Sequence, residues 1–223
     1  MKKKLLTALG VVIPLVFLIS PFLIKVQIRC KSQFGECPTD IKDKLSKFNS
    51  KSLFSARHSA YKLLNQDFLV SNFTSQFQLP NILEISLLIK KPIFAITDKS
   101  TGNTGLVDIH GQILSLSNPG SLPNVIVPST QISVGGHVSD RELFALKLLQ
   151  GLFEMYQVDK GEIADDSLTV ELPGPITVIF PLSGDIQVLL GETRLTYGKV
   201  ETTDLAGKYR QIDLRFRNPV LRY

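Results

Sequence analysis

Residues able to do chemistry are few in this chain, and their spacing is poor for it. The three histidines, His58, His110 and His137, fall in a predicted helix, in a turn beside Gly111 and in a loop after Gly135-Gly136. No HExxH sets two imidazoles on one helix face, so a metal site would require the three to converge from distant segments. Asp165 and Asp166, with Glu162 nearby, are the acids closest to a carboxylate pair, but adjacent loop acids are far more often a solvated connection. No Gly-x-Ser-x-Gly elbow presents a serine nucleophile. Gly102 to Gly105 lacks the Lys-Ser/Thr and the helix start of a phosphate-binding loop. These residues predict a binding or scaffold protein with no catalytic residue, no metal and no cofactor. The competing enzyme reading is an anchored envelope hydrolase using Asp165, Asp166 or His137.

Cys30 and Cys37 stand in the run CKSQFGEC, a spacing that fits neither a zinc site nor a redox CxxC. In an oxidising compartment they close a local disulfide, whose short loop contributes on the order of 2 kcal/mol. Elsewhere they are two thiols, and the sequence leaves both readings open.

From Leu5 to Ile24 no side chain is charged, while Lys2, Lys3 and Lys4 precede the stretch and Lys25 follows it. Such a stretch is long enough to span a bilayer as a helix, and the basic cluster keeps the short end cytoplasmic. A cleaved signal peptide is the alternative, but no Ala-x-Ala closes the run and Pro21 follows Ser20. The expectation is therefore a cytoplasmic tail over 1–4, a transmembrane helix over 5–24 and an extracytoplasmic remainder at the cell membrane. The formal net charge of +5 owes three units to the first lysines, so it is a weak argument for nucleic acid, and none is expected as a partner.

Positioning elements follow from the apolar periods. Val26 to Cys30 reads as a strand, and Ile41, Leu45 and Phe48 as a helix capped by Thr39 or Asp40. Ala56 to Asn65 reads as a second helix, and Leu69 to Phe77 and Leu83 to Ile89 as strands joined at Leu79-Pro80-Asn81. This β-α-α-β-β order over 25–92, with the run FQLPNILEISLLIKKPIFAI, resembles a POTRA domain, a module that binds or positions other polypeptides. From 93 to 223 the pattern predicts a mostly antiparallel β domain. Its strands are Ile93 to Thr97, Gly105 to Ile109, Gln112 to Leu116, Leu168 to Leu172, Ile176 to Phe180, Ile186 to Leu190 and Gln211 to Phe216. The last of these is read as continuing through Val220 to Tyr223. One amphipathic helix interrupts them, opened by the capping box Ser139-Asp140-Arg141-Glu142 and carrying Leu143, Leu146, Leu149, Phe153 and Tyr156 inward. The fold class expected is thus α+β, with one transmembrane helix.

Over Lys25 to Tyr223 the order of pieces resembles the FtsQ/DivIB family of bacterial cell-division proteins. KKPIFAI followed by GLVDIHGQIL resembles that family's junction between POTRA and β domains, LPNVIV the segment after it, and IQVLLGE and IDLRF its final strands. Thr196 to Asp204, with Gly198 and several threonines, departs from the helix the family usually carries there. The resemblance implies a membrane-embedded divisome scaffold that recruits and regulates septal peptidoglycan synthesis with FtsB-like and FtsL-like partners, and takes no small-molecule substrate. A final strand at a sheet edge would accept a partner strand there. Tyr209, Leu214, Arg215, Phe216 and Tyr223 are the expected partner-binding residues. The alternative for Leu214 and Phe216 is the core of a closed sheet. A second non-enzymatic reading is a subunit of an envelope transport or secretion complex.

Overall fold

Alternation in Ile82–Ile89 (β4) supplies the centre of the first sheet: Leu83, Ile85 and Leu87 are buried while Ser86 and Leu88 face outward. β4 pairs in parallel with Gln27–Ser32 (β1) and antiparallel with Val70–Gln78 (β3). The parallel pairing demands a long connection, which Thr39–Ser46 (α1) and Leu53–Gln66 (α2) provide. Their inner residues Ile41, Leu45, Ala56, Ala60 and Leu64 close over the apolar face of β4 in one core cluster. In this computed structural model the described residues are 24–202 and 208–223, and the chain divides into two units, the first ending at Lys90 and the second beginning at Lys91.

A two-residue strand, Gly35–Glu36 (β2), folds back on Lys31 and Ser32, so the sheet order is β2-β1-β4-β3. The expected β-α-α-β-β order lacked it. Cys30 and Cys37 form a disulfide across this hairpin, with Cα atoms 5.7 Å apart. The side-chain amide of Gln33 exchanges two hydrogen bonds with the backbone of Ile89, at 2.7 and 2.9 Å, and so ties the hairpin tip to the end of β4. The cap of α1 differs from the sequence reading. Pro38 occupies the N-cap of α1, leaving Thr39 and Asp40 inside its first turn, and Ser52 caps α2 by accepting from Ser55 N.

The second sheet has nine strands among the described residues. They are Phe94–Asp98 (β5), Thr104–Val107 (β6), Ile113–Leu116 (β7), Asn124–Val127 (β8), Lys160–Ala164 (β9), Ser167–Leu172 (β10), Ile176–Pro181 (β11), Gln211–Asp213 (β12) and Val220–Arg222 (β13). Their spatial order is β13-β12-β11-β10-β9-β8-β5-β6-β7. Two helices cross over between parallel neighbours: Asp140–Tyr156 (α3) joins β8 to β9, and Ile186–Thr202 (α4) joins β11 to β12. The Ser139/Glu142 capping box opens α3 as the sequence predicted, and Leu146, Leu148, Leu149 and Leu152 bury its inner face.

The expected fold class requires correction. The second sheet is mixed, because β5–β8, β8–β9 and β11–β12 are parallel pairs. Its unit carries two amphipathic helices where one was expected, since the strand expected at Ile186 to Leu190 is the first part of α4. Asp185 starts that helix by accepting from the backbone N–H of Gln187 and Val188. Leu189, Leu190, Thr193, Tyr197 and Val200 recur at helical spacing and are all buried, and this packing overrides the weak propensities of Gly198 and the threonines. The transmembrane helix expected over 5–24 lies outside the described residues except for Ile24. No helix among the described residues is long and apolar enough to cross a membrane. What the structure holds is an α+β chain with four helices and two mixed sheets among those residues.

α3 and α4 approach closely at Gly151, where a Cβ would collide with Leu190 Cδ1. Gly151→Val should therefore push α4 off α3 and destabilise the protein by roughly 1–3 kcal/mol. Urea unfolding followed by circular dichroism measures this, and an unchanged midpoint would show that the helices do not meet there.

Candidate functional site

β12 enters beside β11, its parallel pairing fixed by the α4 crossover, and β13 then returns antiparallel along its free side. The register pairs Gln211 with Arg222, Ile212 with Leu221 and Asp213 with Val220. Alternation along β12 sends Ile212 and Leu214 into the core and Asp213 and Arg215 to the other face.

Asp213 is fully buried and is held by two arginines. Arg215 Nε donates to Oδ1 at 2.9 Å and Arg215 Nη2 to Oδ2 at 2.7 Å, a two-point fork. Arg215 N also donates to Oδ1, and Arg222 Nη2 reaches Oδ2 at 3.2 Å from β13. The hydrogen bonds from Arg215 hold the carboxyl below the usual aspartate range against the opposing effect of burial, with the Arg215 and Arg222 charges adding to them. One carboxylate thus fastens the strand end, the chain after it and the edge strand.

Around this clip lies an exposed surface. Phe216 is 52 % exposed, with the Arg215 guanidinium 6.0 Å from its ring centre, and Val220 and Tyr223 are exposed on the edge strand and just after it. Tyr223 stacks on Tyr209 with ring centres 4.9 Å apart, and the hydrogen bond that the neutral Tyr209 phenol shares with Tyr223 raises its pKa above the ordinary value. Lys208, Arg210, Arg215, Arg217 and Arg222 make the rim cationic, with Asp213 the only side-chain carboxylate between residues 208 and 223. Among the described residues β13 pairs with β12 alone, so its outer backbone edge stands open. The opposite edge, β7, is partly covered, because Ile113 exchanges backbone hydrogen bonds with Gly135 and Gly136.

Of the five residues expected to bind a partner, Tyr209, Arg215, Phe216 and Tyr223 gather at this edge. Leu214 does not: it is 2 % exposed and belongs to the core. The strand expected over Gln211 to Phe216 ends at Asp213, and Val220 to Arg222 is a separate antiparallel strand, not its continuation. Sequence reading passed over Asp213 and Arg222. The alternation of Ile212 and Leu214 with Asp213 and Arg215 was the signal for the first, while nothing local pointed to Arg222 before the chain reversal was known.

The other candidates are scattered. His58 is exposed on α2, and His110 follows Asp108, whose carboxylate accepts from the His110 and Gln112 N–H groups. His137 forms an isolated bridge with Gln112. Among the described residues no group of three His, Cys, Asp or Glu side chains is placed to hold a metal ion. Asp165 and Asp166 form the β9–β10 turn with positive φ, Asp166 pairing with Arg141 and Glu162 with Lys99, each at 2.5 Å. Asp98 is the other carboxyl held low, by hydrogen bonds from Thr101 and Ser100 that order the β5–β6 turn.

The chain matches no model of a known protein family, and no curated protein matches it. What the fold and the site define is a two-unit α+β protein whose second unit ends in an open, cation-rimmed sheet edge.

Because the folded-state pKa of Asp213 is depressed, its contribution to stability is present above the unfolded value, about 3.9, and is lost as pH falls through the lower folded value. Asp213→Asn should cost about 2 kcal/mol at pH 7. The difference from the parent should shrink below about pH 4. Urea titrations at neutral and acid pH read both effects, and a difference independent of pH would remove the ionised clip from the account.

Proposed function

We propose that this protein is a cell-division scaffold of the FtsQ/DivIB kind. In this reading it is attached at the cell membrane with its bulk outside the cytoplasm, and FtsB-like and FtsL-like partners add a strand to its C-terminal edge. The observation that carries the reading is β13: a strand open on its outer side, flanked by exposed Phe216, Val220 and Tyr223, and clipped in place by Asp213. Strand addition supplies backbone hydrogen bonds, and the flanking rings supply the side-chain contacts that choose the partner. A cationic rim favours a partner segment carrying carboxylates and speeds its approach. Through this contact the protein helps recruit and regulate septal peptidoglycan synthesis while doing no chemistry itself.

Two further observations support the location. The Cys30–Cys37 disulfide suits an oxidising compartment. The uncharged sequence Leu5 to Ile24 behind Lys2-Lys3-Lys4 suits attachment to a membrane with the basic end on the cytoplasmic side.

Calorimetry of the full chain in nanodiscs with the exported segment of the host's FtsB-like protein tests the assignment. A dissociation constant of about 1 μM or tighter is expected. Phe216→Asp should weaken it by at least about tenfold, roughly 1.4 kcal/mol, with an unchanged circular dichroism melt. Equal binding by the folded variant would exclude the Phe216 surface, and no binding by the parent would exclude the division partner.

A further inference from the structure

The described chain begins directly against the start of α2. Leu53 N donates to Ile24 O at 2.8 Å and Val26 N to Lys51 O at 3.0 Å. Lys25 bridges Ser52, the residue that caps the helix. The end of the uncharged sequence Leu5 to Ile24 is thus pinned to the first turn of α2.

That helix has an unusual outer face. Phe54, Arg57, His58, Tyr61 and Lys62 follow at helical spacing and are exposed, opposite the buried Ala56, Ala60 and Leu64. Phe54 and Tyr61 are each 58 % exposed, Tyr61 lying edge-on to Phe73 of β3. No residue of the 14-residue helix is acidic, and exposed Lys25 and Lys51 extend the positive charge past its N-terminus. An ordinary solvated face mixes both signs of charge. Asp67 caps the far end of the helix near His58 and Lys62 and pairs with Lys44. It is therefore the first turn, a ring among cations with no acidic residue on the helix, that has the composition that settles at a lipid interface, the ring at headgroup depth and the cations drawn to anionic headgroups.

We propose that the surface formed by Lys25, Lys51, Phe54 and Arg57 docks on anionic lipid headgroups and seats the first turn of α2 against the membrane. This rests on the membrane attachment read above and adds which face of the first unit meets lipid. The attraction falls off within about 10 Å in physiological salt, so it acts only on groups held at the surface. The pinning of Ile24 and Lys25 to Leu53 and Ser52 holds them there. The β1–β2 hairpin, with Phe34 69 % exposed at its tip, lies at the far end of β1 from Lys25, about 20 Å of strand away. It serves as the internal control.

The chain contains no tryptophan, so Phe54→Trp and Phe34→Trp each install a single fluorescent reporter. The full chain is reconstituted in vesicles of phosphatidylglycerol and phosphatidylcholine with brominated acyl chains, and its fold is checked by circular dichroism. The reporter at 54 should emit to the blue and be quenched by the brominated lipid several-fold more than the reporter at 34. Lys51→Glu with Arg57→Glu should abolish that difference, and vesicles of phosphatidylcholine alone should reduce it. If the chain stays with the vesicles but aqueous iodide reaches both reporters equally, docking is overturned and the attachment reading stands. A blue-shifted reporter at 54 that the brominated lipid does not quench also overturns it, because another part of the chain then covers the patch. A chain that fails to associate with vesicles overturns both readings.

Discussion

The C-terminal edge of the second sheet depends on a buried carboxylate shared by two arginines. Placing Asp213 out of water is unfavourable, and a buried ion pair seldom repays that cost in net stability. Here the arginines remain 35 % and 48 % exposed, so only one member of the group is desolvated and the positive charges keep their hydration. What the arrangement contributes is register. Arg215 comes from the turn after β12 and Arg222 from β13, and one oxygen, Oδ2, receives both. A slip of β13 by one residue would carry the Arg222 side chain to the other face and leave Asp213 with one partner.

That edge exists because of the two crossovers. Parallel neighbours cannot be joined by a tight turn, and the chain crosses through α3 between β8 and β9 and through α4 between β11 and β12. Both helices bury apolar residues in the core of the second unit. α4 delivers the chain to the outer side of β11 as β12, leaving only the short β13 to fold back against it. A three-residue edge strand limits unwanted pairing with other chains.

Legibility in the sequence followed how local each determinant is. The capping box of α3 and the alternation of β4 are local patterns, and both stand where the sequence placed them. α4 was misread because Ile186 to Leu190 is a short apolar run, which periodicity alone assigns equally to strand or helix. The deciding residues, Thr193, Tyr197 and Val200, lie beyond it among poor helix formers. β9 was missed because Lys160-Gly161-Glu162 offers little apolar alternation, and its place comes from pairing with β8 and β10. At the candidate site the aromatic residues and the alternation that buries Leu214 were visible, while the pairing of Arg222 with Asp213 depended on where the chain reverses. Pro219 marks that reversal: it precedes β13 and contributes no N–H to the ladder.

Hydrogen exchange of the full chain, alone and with the exported segment of the FtsB-like partner, tests strand addition at β13 most directly. The account predicts that amides from Val220 to Tyr223 exchange rapidly in the free protein and slowly in the complex, while those of Ile113 to Leu116 at the opposite edge keep their rates. Binding with unchanged exchange over Val220 to Tyr223, or protection confined to β7, would contradict it.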